Sequence, residues 1–441
     1  MTGALVSNEH NPRGMNTWPA VPTRKANMSA EPATQSPAAK GFQGLKPEAI
    51  TFWQGVAIIF GANIGAGILS LPYGSREGGI PTLVTALIIA GVLTTVSMLY
   101  VAEVALRTST PLQLSGLARK YLGNVGSWLI FAGVAINGLG ALIAYTTGSG
   151  SILAQLLGVP ESVGSLLFFI PSVIVVWLGL KATGRSEQVV TVAMFVMIMA
   201  LILWTVFGPG LESSNLLYAN PYFIIPTINL VVFGYIAQYT VPELARGLAK
   251  KANPKVLPRA IVAGMSATGF LLVLVPLAAI GSLGRDNLSE VVTLAWGESL
   301  GPAATWLANG FALLAMLTSF WAIGLTLMTN ILDRFNWPAT NAPRYRVAAL
   351  ALVALPPFII GVFGLTGFVA ALGYTGAFAG AIMSAVPVLM LRKARKYGDV
   401  EPRWQAGRIA HPAMQFTLVA VFGLAFLYSI ASVFGAVPTG W

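Results

Sequence analysis

Two stretches of this chain place poor helix formers inside apolar runs. In GANIGAGILSLPYG, Gly61 to Gly74, glycines stand at 61, 65, 67 and 74, and Pro72 removes a backbone donor. In FGYIAQYTVPELARG, Phe233 to Gly247, Gly, Gln, Thr and Pro interrupt a second run. Where a helix unwinds, its peptide N–H and C=O groups are free to bind a ligand. The competing reading is that small residues let a neighbouring helix approach closely. Phe233 and Tyr235 are candidates to stack on an apolar ligand, or are ordinary core and lipid-facing aromatics. Gln238 adds a polar group to the second break. Tyr145 and Asn137 lie in a third apolar run; each either meets the ligand or hydrogen-bonds between helices. Thr318 and Ser319 are adjacent hydroxyls able to ligate a hard cation, or else to bond back to their own helix. Glu103 and Glu243 are candidate proton carriers. They precede Arg107 by four residues and Arg246 by three, spacings that also allow ordinary ion pairs on a helix surface.

These residues need elements to hold them, and composition says which. The chain has 441 residues, 56% hydrophobic and 9% charged, with a mean hydropathy of +0.74. That is too little charge to cover a soluble surface. The apolar residues fall in blocks long enough to cross a hydrocarbon core of ~30 Å. Eleven spans are predicted, at about 51–73, 80–106, 125–156, 163–180, 188–207, 222–245, 258–281, 302–330, 346–364, 368–391 and 412–434. No segment shows the alternating pattern of a membrane β-barrel. Residues 1–50, rich in Pro, Ser, Ala, Asn and Thr, read as a disordered tail.

Charge sets the orientation. With the N-terminus in the cytoplasm, all of the 26 Lys and Arg except Arg76 and Arg285 fall on the inner side. The net charge of +11 is thus a matter of topology and lipid head groups, and a nucleic-acid partner is not expected. The expected location is a bacterial inner membrane, with the C-terminus outside. There is no cysteine, and the two histidines, His10 and His411, stand apart, so neither a disulfide framework nor a metal site other than a sodium site is expected. The spans lack His, Cys and paired Asp, so the chain is read as no enzyme.

The interrupted spans are the first and the sixth. Each opens a set of five, and an odd number forces the second set to enter the membrane from the opposite side. Corresponding breaks in two such halves are the signature of an inverted repeat in secondary transporters. The predicted domains are therefore 51–207 and 222–391 as the two repeats, with 412–434 appended.

GAGILSLPYGSREGG resembles the first-helix signature of the amino acid/auxin permeases and their bacterial relatives, the hydroxy and aromatic amino acid permeases. FGY…VPEL with its basic loop, TSFWAIGLTLMTNILDRF from Thr318 to Phe335, and AYTTGSG from Ala144 to Gly150 are similar to other parts of that pattern. Gly74 departs from it, since alanine is usual there. The resemblance spans about 51–434. It implies the all-α leucine-transporter fold of the amino acid–polyamine–organocation superfamily, with five-plus-five helices, helices one and six broken, and an eleventh added.

By that resemblance, Ile64, Gly65, Ala66, Gly67, Tyr145, Phe233, Tyr235 and Gln238 would bind a zwitterionic amino acid. The amides of Gly65, Ala66 and Gly67 would hold its carboxylate without side-chain bulk, aided by the positive end of the following half-helix. Unwound carbonyls would take its ammonium. A sodium ion would sit on Gly61, Ile64, Ala315, Thr318 and Ser319, whereas other bacterial relatives run on protons. The implied function is ion-coupled uptake of a neutral, aromatic or hydroxy amino acid, with Na+ or H+ as coupling ion and no other cofactor. The alternative is an amino acid sensor on a transporter fold that moves nothing. Oligomeric state is not written in the sequence.

Overall fold

A computed structural model describes residues 50–178, 184–248, 253–335, 337 and 343–437. The expected N-terminal tail lies outside the described residues, apart from Ile50. Among them every regular element is helical. The helices are α1 (Phe52–Asn63), α2 (Ala66–Gly74), α3 (Gly79–Leu106), α4 (Leu114–Leu157), α5 (Glu161–Leu178), α6 (Gly184–Phe207) and α7 (Ile224–Phe233). They continue with α8 (Val241–Leu248), α9 (Val256–Leu283), α10 (Pro302–Arg334), α11 (Pro343–Pro357), α12 (Phe368–Tyr397) and α13 (Pro412–Val433). Short helices at Ser213–Leu217 and Thr293–Leu300 lie in connections.

Nine of the described helical stretches are long and apolar enough to cross a membrane, counting α7 and α8 together. The bent pair α1–α2, taken as one span, makes ten, and Val192–Phe207 of α6 is apolar but shorter. The regular elements among the described residues are thus all helical, and the chain is a polytopic integral membrane protein. Exposed side chains such as Ile88, Phe270, Trp306 and Leu427 give the lipid-facing surface.

Two elements run longer than their hydropathy suggests. α4 begins at Leu114 rather than near 125, and its first nine residues are set off by Gly123, whose φ of 72° breaks the helix. That leading piece buries Leu117, Ala118 and Tyr121. α12 continues to Tyr397 because Arg395 is anchored to the buried Glu103.

The core is held by close helix approach, as expected where lipid supplies no hydrophobic drive between helices. α12 packs on α4, α7, α3 and α13. A Cβ at Gly140 would stand 1.7 Å from Thr375 Oγ1, and one at Gly376 would stand 2.1 Å from the Asn229 carbonyl oxygen. No larger residue fits at either point.

Candidate functional site

The first interruption falls at Ile64 and Gly65, seven residues before Pro72. Ile64 still donates to the Phe60 carbonyl at 2.9 Å, but its ψ of 112° is extended, and the axis turns by 49° before α2 resumes. The last carbonyls of α1 and the first amides of α2 are left without partners in their own helices. Their dipoles oppose across the gap, negative at the end of α1 and positive at the start of α2.

The second interruption follows Phe233. Gly234, Tyr235 and Ile236 donate to the carbonyls of Val231, Val232 and Phe233, three residues back, and Thr240 donates to Ala237. This stretch turns with about three residues per turn rather than 3.6. Pro242 then sits in the first turn of α8, where a missing N–H costs little.

The two breaks meet. A Cβ on Gly67 would lie 3.2 Å from Gly234 Cα and 3.2 Å from Phe233 Cδ1, so backbone touches backbone. Beside this contact is a cavity of ≈ 20 Å³. The first break contributes Ala62, Asn63 and Gly65; the second contributes Phe233, Ile236 and Tyr239. α4 supplies Asn137 and Tyr145, and α10 supplies Ile323. A Cβ on Gly65 would meet Tyr145 Oη at 3.0 Å and Ser319 Oγ at 3.3 Å, so both hydroxyls converge on the break.

Among the described residues the amide oxygens of Asn63 and Asn137 have no hydrogen-bond partner. Asn63 Nδ2 donates to Met265 Sδ and to Thr268 Oγ1, both at 3.4 Å. That fixes the amide on α9. A buried acceptor left unmet is costly, so two beside one cavity point to a ligand with donors.

A scan against protein families matches the tryptophan/tyrosine permease model over residues 49–428. The chain belongs to that family. As a permease it is a transporter rather than an enzyme. It is 28% identical to a tryptophan-specific transport protein of Shigella flexneri, over 87% of this chain and 96% of that relative. It is 27% identical to the tyrosine-specific transport system 1 of Haemophilus influenzae, over 77% of this chain and 87% of the other. A crystal structure of MhsT in complex with L-phenylalanine superposes with a TM-score of 0.63 at 16% identity, covering 87% of this permease and 99% of that chain. The permease thus has the leucine-transporter fold.

Of the residues singled out in the sequence, Gly65, Gly67, Tyr145, Phe233 and Ser319 are brought together at the breaks. Ile64 lies within the first break, and Ala66 opens α2. Tyr235 and Gln238 point elsewhere. The Tyr235 ring wedges between α3 and α9, where Cβ atoms on Gly91 and Gly269 would meet it at 3.0 and 2.8 Å. Gln238 is fully buried and donates to Ser384 Oγ of α12 at 3.3 Å. Asn63, Ile236, Tyr239 and Ile323 line the cavity without having been singled out. Phe233, Ile236 and Tyr239 recur every third residue, the period of the tight turn, which separates their face from that of Tyr235 and Gln238.

The candidate ion and proton residues divide. Thr318 Oγ1 donates back to Leu314 at 2.9 Å and to Ala315 at 3.3 Å. Its oxygen keeps lone pairs free for a cation. Glu103 is fully buried and accepts from Arg107 Nε at 3.0 Å, Arg395 Nε and Nη2 at 2.9 Å, and the Ala406 amide at 2.8 Å. Glu243 is exposed on α8.

A larger cavity of ≈ 530 Å³ lies away from the breaks, between the ends of α2, α3 and α9. Arg76 and Arg285 line it, each paired with its neighbouring acid and set over a tyrosine ring.

Proposed function

We propose that this permease is an ion-coupled symporter that takes up tryptophan or tyrosine by alternating access. The observation that carries the reading is the contact of Gly67 with Gly234, which sets two interrupted helices against one cavity. The amides opening α2 hold the carboxylate. Carbonyls at the ends of α1 and α7, with Asn63 Oδ1, take the ammonium. Phe233, Ile236, Tyr239 and Ile323 enclose the side chain. The charge-poor lining suits a neutral substrate, and the named relatives are tryptophan- and tyrosine-specific transport proteins.

A cavity of ≈ 20 Å³ has room for about one water. Substrate entry therefore requires the broken helices to move away from α4 and α10. We assign that motion to spans one, two, six and seven, rocking against three, four, eight and nine. The N-terminus is placed in the cytoplasm, the repeats at 51–207 and 222–391, the extra helix at 412–434 and the tail at 1–50. The wider kinship is with the amino acid/auxin permeases and their superfamily.

The coupling ion is Na+, taken by Gly61, Ile64, Ala315, Thr318 and Ser319, or H+. Glu103 is held by two arginines and suits neither binding nor release of a proton. The deciding experiment is uptake of labelled Trp, Tyr, Ser and Thr into proteoliposomes, with sodium and pH gradients imposed separately. Accumulation of Trp or Tyr under one gradient supports the proposal. If sodium drives it, Ser319→Ala raises the sodium requirement. Binding without flux would replace transport by sensing, and no binding at all would overturn the reading.

A further inference from the structure

The polar groups beside the central cavity are unequally placed. A zwitterion's carboxylate and ammonium share one carbon, so both must lie at the first break, near Gly65. Asn63 is two residues from Gly65 and is held there by Met265 and Thr268. Asn137 is on α4, eight residues before Tyr145. Helical rise separates their Cα atoms by about 12 Å. Tyr145 Oη lies at the first break, so Asn137 stands about two helical turns along α4 from the residue that meets the zwitterion's charged groups.

Asn137 is 8% exposed, and its amide has no hydrogen-bond partner among the described residues. Ile323, Ile236 and Tyr239 line the same cavity. An aromatic side chain entering there places its ring among them and its outer edge at Asn137. Tryptophan carries a ring N–H at that edge and tyrosine an O–H, whereas phenylalanine carries no donor. A buried acceptor that stays unmet penalises the ligand lacking the donor.

We infer that Asn137 Oδ1 accepts the indole N–H or phenol O–H of the substrate and thereby sets the preference for tryptophan and tyrosine over phenylalanine. This rests on the proposed aromatic substrate, and it adds the group that is read and the residue that reads it. Asn137 is here a specificity residue in contact with substrate, and not a bond between helices.

The test is competition against labelled tryptophan on the purified full-length protein. The competitors are tyrosine, phenylalanine and β-(3-benzothienyl)alanine, which keeps the shape of tryptophan with sulfur in place of N–H. The wild type is expected to bind the two donor-free ligands about tenfold more weakly than their counterparts. In Asn137→Leu, tryptophan and tyrosine lose about tenfold, the donor-free ligands change less than twofold, and the discrimination disappears. If Asn137→Leu fails to fold, Asn137→Ala is read the same way. Tyr239→Phe, which removes the other hydroxyl nearby, is expected to keep the discrimination. Equal binding of tryptophan and its sulfur analogue by the wild type overturns the inference while leaving aromatic transport intact. So does an equal loss for all four ligands in the Asn137 variants, or loss of discrimination in Tyr239→Phe alone. Failure to bind any aromatic amino acid instead removes the proposed function itself.

Discussion

Replacing Glu103 by glutamine separates a structural carboxylate from a proton carrier. Glu103 is fully buried at the end of α3, and three guanidinium N–H groups and one backbone amide converge on it. Glutamine keeps one acceptor oxygen but leaves Arg107 and Arg395 without their counter-charge. Removing one partner of a buried pair costs about 3–5 kcal/mol. The Arg395 side chain is 34% exposed, so water recovers part of the loss, and the lower end, about 3 kcal/mol, applies. At about 1.4 kcal/mol per factor of ten, local opening becomes roughly a hundredfold more frequent. The opening unit is the 399–406 segment, because Ala406 N donates to Glu103, and Asp399 N and Val400 N donate to the Arg107 carbonyl. Hydrogen exchange in detergent should show that loss of protection there, while the cavity segment 233–240 stays unchanged. Glu243→Gln, on an exposed site, should leave both segments as they were. Uptake by Glu103→Gln should keep its response to an imposed pH gradient. Protection within threefold of wild type over 399–406, or loss of the pH response, would refute the reasoning.

Three further outcomes follow from the geometry. Phe233→Ala should raise the KM for tryptophan at least about tenfold, whereas Tyr235→Phe, altering a hydroxyl wedged between Gly91 and Gly269, should leave it within threefold; uptake kinetics decide. Gly376→Ala sets a Cβ 2.1 Å from the Asn229 carbonyl, and the required backbone shift should cost about 1–3 kcal/mol, seen as a lower thermal midpoint. Lys120 and Ser109 hold the Asp399 carboxyl down at about 2, below its ordinary 3.8. A depressed value means the tie is in full force above the ordinary value and is lost as pH falls through about 2. Exchange at 398–400, corrected for intrinsic rate, should therefore be the same at about pH 4.5 as at neutral pH.

The spans were legible because lipid demands long apolar runs whatever the tertiary contacts. The breaks were legible because glycine and proline announce weak helix. Their details were less so. Glycines cluster at 65 and 67, and the chain parts at Gly65, where two hydroxyls from other helices need the space of a side chain, whereas Pro72 stays inside α2. On the sixth span, helical habit groups Phe233 with neighbours such as Tyr235 and Gln238. Only the three-residue repeat of the tight turn shows that Ile236 and Tyr239 share its face. Glu103 and Arg107 are four apart and could be paired on paper. Arg395 is 292 residues away, and no local pattern announces it. Asn137 read most simply as a bond between helices, and its lack of any partner emerges only once the neighbours are in place.

α13 follows the two proposed repeats, but it is not idle. Asn229 Nδ2 of α7 donates to Ser429 Oγ of α13 at 3.0 Å, and Phe233 stands one turn further along α7. At its other end Gln415 accepts from Arg392 of α12 at 2.7 Å. α13 is largely unburied by the rest of the protein, with Phe416, Leu424 and Leu427 exposed, and there it meets acyl chains. A bilayer thick or thin enough to change its tilt would therefore act on Asn229, one turn from a ring that lines the cavity.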